Sequence, residues 1–377
     1  MSRLRVGLNA LFLKPGRVGG TEEYVRRLLW ALESDDPHQI EVVLFVSRRF
    51  AGSLPDRTTA SIAIAPLSGD SPPIRIAIES TWLAREAGRR SLDVVHHLGN
   101  TIPHVRTRPA VVTIHDIQPI VRPGDFGWIK GGYLRTRLRS AALGSRMITT
   151  PSAYVRGQVI DRFGVDEARV VVVQAPVILD QTADEMGSPL PAPVRAPFFL
   201  YAAITHPHKN HVTLLRAFAA VAASDPHVSL VLTGGEGAAE ADVRQEIRAR
   251  KLQERVHRVG RIPRADLDRL LRRAVALTFP SRHEGYGLPV AEAMALGCPV
   301  IASRATALPE VVGDAGLLVD PDDVAGWADA MVSVLGNDDL RVLLAARGRD
   351  RVASLSPEET ARRLVQAYRF AAGVDEG

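Results

Sequence analysis

Cysteine is almost missing from this chain. Cys298 stands alone among 377 residues, so one chain can form neither a disulfide framework nor a thiolate-rich zinc site, and a reducing, cytoplasmic setting is expected. Long apolar runs are missing too. No eighteen consecutive apolar residues occur, which leaves nothing to cross a bilayer as a helix, and the opening MSRLRVGLNALFLKPG has no signal-peptide apolar core. Aromatic residues are only 5% of the chain, too few for the stacking platforms of single-strand nucleic-acid binders. Lysine is limited to Lys14, Lys130, Lys209 and Lys251, so the net charge of +5 rests on arginine. An arginine-for-lysine bias explains that excess better than a nucleic-acid partner does; peripheral contact with the anionic inner face of a membrane stays open. The dinucleotide fingerprint G-x-G-x-x-G does not follow the first strand, which disfavours a nicotinamide dehydrogenase.

What is present is alternation of strand-like and helix-like segments. Arg5–Asn9, Glu41–Val46, Asp93–His96, Ala110–Thr113, Met147–Thr150 and Arg169–Val173 are short, largely apolar runs of the buried parallel type. A helix is expected from about Thr21 to Glu33, with Thr21 as its N-cap. Residues 176–197 hold Pro189, Pro191, Pro193 and Pro197 and read as a linker. A second alternation follows from Phe198, and the chain closes on helices near Val324–Leu335, Asp339–Val352 and Pro357–Ala372. The fold class is therefore α/β: two Rossmann-like, doubly wound domains over 1–175 and 198–354, with 355–377 as a C-terminal helix crossing back to the first.

The sharpest motif is PSRHEGYGLPVAEAMALGCP, residues 280–299. It follows the strand-like Ala276–Phe279. Gly285 and Gly287 keep the loop backbone bare and able to take positive φ. Pro289 suits a first helical turn, and Gly297 can end the helix. A helix N-terminus behind a bare loop binds anions through its free N–H groups. Two carboxylates flank it, Glu284 and Glu292. Carboxylates repel phosphate, so these two suit hydroxyl groups, and the whole suits a sugar nucleotide. The bland alternative makes Glu284 a helix cap and Glu292 a surface residue.

This segment resembles the signature of the retaining glycosyltransferases of family 4, which have the GT-B fold, two such domains facing a central cleft. Gly19-Gly20 before a helix, His115-Asp116, Pro151-Ser152, Lys209-Asn210, Gly234-Gly235, Gly260 and the run Leu308–Val311 fall in the family's order. The resemblance implies roles. His115, Lys209 and Glu284 would be catalytic: Lys209 on the donor diphosphate, Glu284 on the sugar hydroxyls, His115 supporting the sugar. Gly19 and Gly20 would let backbone approach the phosphates. Asn210, Gly234, Gly235, Arg261, Ile262, Gly285, Tyr286, Gly287 and Leu288 would line the donor, with Glu292 on its ribose. Many members carry an arginine shortly before the lysine. This chain has Ala202 and Ala203 there, so either another group shares the charge, with His206 and His208 candidates by proximity, or Lys209 acts with backbone N–H groups alone.

The expected activity is retaining transfer of a hexose, mannose first, from a nucleoside-diphosphate sugar such as GDP-mannose to a hydroxyl of a glycan or lipid-linked acceptor. No cofactor and no metal site are expected: His206, His208 and His211 lack metal-ligand spacing, and no D-x-D-like triplet lies at a strand end. The alternatives are a GT-B sugar-nucleotide epimerase and a non-catalytic nucleotide-sugar binder. The basic stretch Trp128–Arg146 reads either as an amphipathic helix with one packed and one solvated face or as a surface for a membrane or lipid-linked acceptor.

Overall fold

The computed structural model describes residues 3–15, 19–34, 40–54, 58–67, 72–178 and 194–374. Most of the expected linker, with Pro189, Pro191 and Pro193, lies outside them. Two compact units are present, Met1–Pro176 with Leu355–Gly377, and Val177–Ser354.

The first unit is built on a seven-stranded parallel sheet. Its strands are β1 (Leu4–Asn9), β2 (Ile40–Val46), β3 (Ser61–Ile64), β4 (Val94–His97), β5 (Ala110–Thr113), β6 (Met147–Thr150) and β7 (Val170–Val172), in the order β3-β2-β1-β4-β5-β6-β7. The second unit has a six-stranded sheet of β8 (Phe198–Ala202), β9 (Ser229–Thr233), β10 (Val256–Gly260), β11 (Ala276–Phe279), β12 (Val300–Ser303) and β13 (Leu317–Val319), in the order β10-β9-β8-β11-β12-β13. Both sheets are parallel and doubly wound, as the alternation implies. Strand order reverses at β1/β4 in one and at β8/β11 in the other, the places where such sheets collect ligands beyond the strand ends.

The central strands are apolar because helices cover both their faces. Every residue of β4, β5, β6, β9, β11 and β12 is buried. The edge strands β3 and β13 escaped the sequence reading for the same reason. Exposed Ile62 and Ile64 on β3, and only half-buried residues on β13, leave no continuous apolar run to find.

One helix boundary is corrected. The first helix runs Gly19–Ser34, so Gly19 and Gly20 form its opening turn and Thr21 is not the N-cap. The final helix, Pro357–Ala372, lies in the first unit and packs against Gly19–Ser34. Thr360 Oγ1 donates to the Gln174 carbonyl at 2.8 Å. The Tyr368 hydroxyl meets His96 Nδ1 at 2.8 Å, while His96 Nε2 meets Thr113 Oγ1 at 2.8 Å and Thr113 meets Thr149. One polar chain thus joins β4, β5, β6 and the last helix through the core.

Burial holds the imidazoles of His96, His97 and His211 neutral, each pushed down to about 3. In the unfolded chain each takes a proton near its ordinary pKa of 6.5. The unfolded state therefore binds more protons between those values, and stability falls as pH drops below 6.5, by up to about 1.4 kcal/mol per unit for each histidine. Melting temperature should decline steadily from pH 7 to pH 5. A flat profile over that window would contradict three neutral buried imidazoles.

Candidate functional site

The site grows from the β8/β11 reversal. The chain leaving β8 forms a short turn at Pro207–Lys209 and then the helix His211–Ser224. The chain leaving β11 forms the loop 280–287 and then the helix Leu288–Ala295. Backbone hydrogen bonding ties the two exits together, since Arg282 N–H donates to the His208 carbonyl at 2.7 Å. Tyr201, buried on β8, donates its hydroxyl to the Lys209 carbonyl at 2.6 Å. Two residues 75 positions apart then meet: Lys209 Nζ lies 2.5 Å from Glu284 Oε1, in a pair less than one-fifth exposed on either side. The Glu284 N–H donates to Thr306 Oγ1 at 2.9 Å, fixing the loop from a third direction.

Asn210 follows with left-handed backbone, φ 58°. Its amide donates to the carbonyls of Pro280 at 3.2 Å and Pro321 at 2.6 Å, and its oxygen accepts from Thr213. This side chain clamps the loops, so any donor contact at Asn210 would fall to its backbone. The helix Leu288–Ala295 begins at Gly287, φ 110°, with no side chain capping it. Of the two loop glycines, only Gly287 takes positive φ; a Cβ there would also stand 2.6 Å from Leu308. Pro289 lies in the first turn, as its type favours. Gly285 is half-buried, and Tyr286 and Leu288 are buried against the loop. Glu284 is no helix cap, because its carboxylate faces Lys209.

Burial, with the adjoining Lys209 charge, holds His208 down to about 4 and lowers His206 as well. Neither supplies a second positive charge near neutral pH. The uncapped N-terminus of the helix Leu288–Ala295 remains as the other anion-friendly feature of the loop.

Gly234 and Gly235 follow β9. Gly234 has φ 129°, and a Cβ there would sit 2.3 Å from the Ala203 carbonyl oxygen. No side chain fits. At Gly235 a Cβ would stand 3.0 Å from Arg261 Nε, so Arg261 lies over this glycine. Ile262 beside it is half-buried. A cavity of about 180 Å³ opens here, lined by Ala203, Thr205, His211, Gly234, Gly235 and Arg258.

Glu292 is no surface residue either, at 4% exposed. Arg264 Nη1 stands 2.5 Å from its Oε1. Arg264 also stands 2.8 Å from buried Asp268. Sequence reading missed both partners, although the i, i+4 spacing of Arg264 and Asp268 was available to it.

The first unit places His115 just beyond β5. Its Nε2 meets the Leu98 carbonyl at 2.7 Å, and its ring meets Tyr24 edge-on at 5.0 Å. Burial lowers its pKa, so the ring is neutral near pH 7; a carbonyl only accepts, which puts the proton on Nε2 and leaves Nδ1 as an acceptor. Tyr24 belongs to the helix that Gly19 and Gly20 open. Asp116 accepts from the Gln118 N–H at 2.9 Å, the local turn its residue type favours.

Among the described residues no cluster of histidine, cysteine or carboxylate side chains is placed to hold a metal, and no helix is long and apolar enough to cross a membrane.

The sequence profile "Glycosyltransferase Family 4" matches residues 18–181, and "Glycosyl transferases group 1" matches 184–351. Over 286 residues the chain is 31% identical to O-antigen chain mannosyltransferase B of Escherichia coli, covering 74% of each. Over 262 residues it is 26% identical to O-antigen chain mannosyltransferase RfbU of Salmonella typhimurium, covering 68% of this chain and 69% of that one. Its fold is similar to that of sucrose-phosphate synthase from Thermosynechococcus elongatus, with TM-score 0.76, 20% identity and 97% and 98% of the two chains covered.

Asn210→Ala should destabilise the second unit by about 2 kcal/mol, because two buried carbonyls and Thr213 lose their partner. Denaturant unfolding measures this. No change would mean that the loops are held without the clamp.

Proposed function

Since the chain belongs to glycosyltransferase family 4 and is a retaining enzyme of GT-B fold, we propose that it transfers mannose from GDP-mannose to a hydroxyl of a lipid-linked glycan. The contact between Lys209 and Glu284 at the β8/β11 reversal carries this reading. It sets a cation for the diphosphate against a carboxylate for the sugar, on loops with little freedom to part. The two similar O-antigen mannosyltransferases support the choice of mannose and of a polysaccharide acceptor.

In the proposed reaction the donor diphosphate takes Lys209 as its partner. Glu284, released from that ion pair, accepts hydrogen bonds from sugar hydroxyls. The diphosphate gains charge as the glycosidic bond breaks. Lys209 and the N–H groups at the start of the helix Leu288–Ala295 stabilise it, a term worth most where donors are already oriented. His115 is neutral and accepts through Nδ1 from a sugar hydroxyl. The acceptor hydroxyl attacks from the face the diphosphate leaves, its proton passing to a leaving phosphate oxygen. Configuration at the sugar carbon is retained and no protein nucleophile is used. Glu292 holds the ribose, and the backbone at Gly234, Gly235, Arg261 and Ile262 borders the nucleoside.

A donor panel of GDP-mannose, UDP-glucose and UDP-N-acetylglucosamine, followed by thermal shift, should single out GDP-mannose, since a ligand bound only to the native state stabilises it by mass action. Lys209→Ala and Glu284→Ala should each lower kcat/KM for mannosyl transfer by about a hundredfold or more. Unchanged turnover in both would refute the assignment. Epimerised donor without transfer to a supplied acceptor would identify the GT-B epimerase instead.

A lipid-linked acceptor also fits the helix Trp128–Gly144. Its packed face buries Gly131, Arg137, Leu138, Ala141 and Ala142. Its outer face carries apolar residues among the polar ones, for Trp128 is 85% and Ile129 70% exposed, and Tyr133 and Leu143 are just under half exposed. Lys130, Arg135 and Arg139 are exposed on the same helix, which has no carboxylate, while Arg137 is buried against His104 and the Ile102 carbonyl; the exposed set suits an anionic bilayer surface. The chain should co-sediment with phosphatidylglycerol vesicles and not with phosphatidylcholine ones. The double variant Trp128→Ser, Ile129→Ser should lose most of that binding. Equal binding to both vesicle types would count against this surface.

A further inference from the structure

Asp268, on the helix Arg264–Arg273, is fully buried. Glu292, on the helix Leu288–Ala295, is 4% exposed. One guanidinium touches both: Arg264 Nε lies 2.8 Å from Asp268 Oδ1, and Arg264 Nη1 lies 2.5 Å from Glu292 Oε1. Two carboxylates largely shut off from water thus share one guanidinium. Burial and the neighbouring Glu292 push the Asp268 carboxyl up, against the pull of Arg264 and Arg272. A carboxylate held in this way is suited to a ligand that brings hydrogen-bond donors and no charge of its own at that point. The ribose diol of a nucleotide does so.

The guanidinium is a flat fork of fixed geometry. Gripped by Asp268 along its Nε edge, it fixes where Glu292 Oε1 can stand, and with it the direction of the second oxygen. We propose that Arg264, held by Asp268, is a positioning residue that aims the Glu292 carboxylate at the donor's ribose hydroxyls and thereby makes the enzyme select ribonucleotides over their deoxy counterparts. This rests on the reading of Glu292 as the ribose holder. Asp268 and Arg264 do not touch the reacting atoms. They act through Glu292, so the sugar-transfer step itself is little altered once donor is bound.

The test uses the full chain and titration calorimetry with GDP, UDP and ADP and their 2′,3′-dideoxy analogues. The unaltered chain should bind its preferred ribonucleotide at least about tenfold more tightly than the dideoxy form, because a carboxylate built to accept from hydroxyls discriminates against their loss. Arg264→Gln and Asp268→Asn should shrink that ratio to less than about threefold, by weakening the ribonucleotide and sparing the dideoxy analogue. Arg264→Lys, which keeps the charge and loses the fork, should restore the ratio in part. Melting temperatures report which variants fold, and if Arg264→Gln does not, Asp268→Asn and Arg264→Lys carry the same comparison. A ratio unchanged in the variants, or equal weakening of both ligands, overturns the proposal in favour of a plain tether between helices. Failure of the unaltered chain to prefer any ribonucleotide overturns the role of Glu292 itself, and with it this inference.

Discussion

The bond from the Arg282 N–H to the His208 carbonyl is the constraint on which the second unit's chemistry depends. Parallel strands do not exchange hydrogen bonds beyond their ends, and two loops leaving neighbouring strands are ordinarily independent. Here they are joined at the backbone, then clamped by Asn210 to Pro280 and Pro321, then braced by Thr306 beneath Glu284. With the backbone fixed on three sides, the Lys209 ammonium and the Glu284 carboxylate have little choice but to face each other. Their pairing needs no further ordering of the backbone, so only the rotamer freedom of the two side chains is given up. A ligand that replaces Glu284 as the partner of Lys209 meets a cation held in place.

The same economy governs the charge of the site. Family 4 enzymes commonly set an arginine beside the lysine, and this chain has alanines there. The neighbouring histidines do not compensate, since burial and Lys209 keep them neutral. A lone lysine with an uncapped helix end is a weaker phosphate trap than a lysine–arginine pair. In the proposed reaction more of the donor's affinity would then fall to the sugar and the nucleoside, where the buried Arg264–Asp268–Glu292 arrangement is proposed to act.

Much of this was legible in the sequence. Buried parallel strands announce themselves as apolar runs, so β4, β5, β6 and β11 were found within a residue or so. The edge strands β3 and β13 were not, because each is covered on one side only or poorly on both. The segment 280–299 was readable because its glycines, proline and carboxylates serve one local geometry. The partners of those carboxylates were harder. Lys209 could be placed near Glu284 through the family's order and not through spacing. Arg264 and Asp268 look like any charged helical pair until the fold buries one of them. Asn210 could be taken for a ligand contact because an asparagine that binds a donor and one that clamps two loops have the same appearance in sequence.

The last helix carries a consequence for how the protein is made. The unit spanning Val177–Ser354 is continuous in sequence, and everything its core needs is present once residue 354 has been synthesised. The other unit draws on segments both before and after it. Until residues 355–374 emerge, the face of Gly19–Ser34 that receives the final helix stays bare, and His96 lacks its tyrosine partner. Domains fold as units during synthesis, so here the half that is translated first must wait longest, its apolar surface uncovered while the later half completes itself.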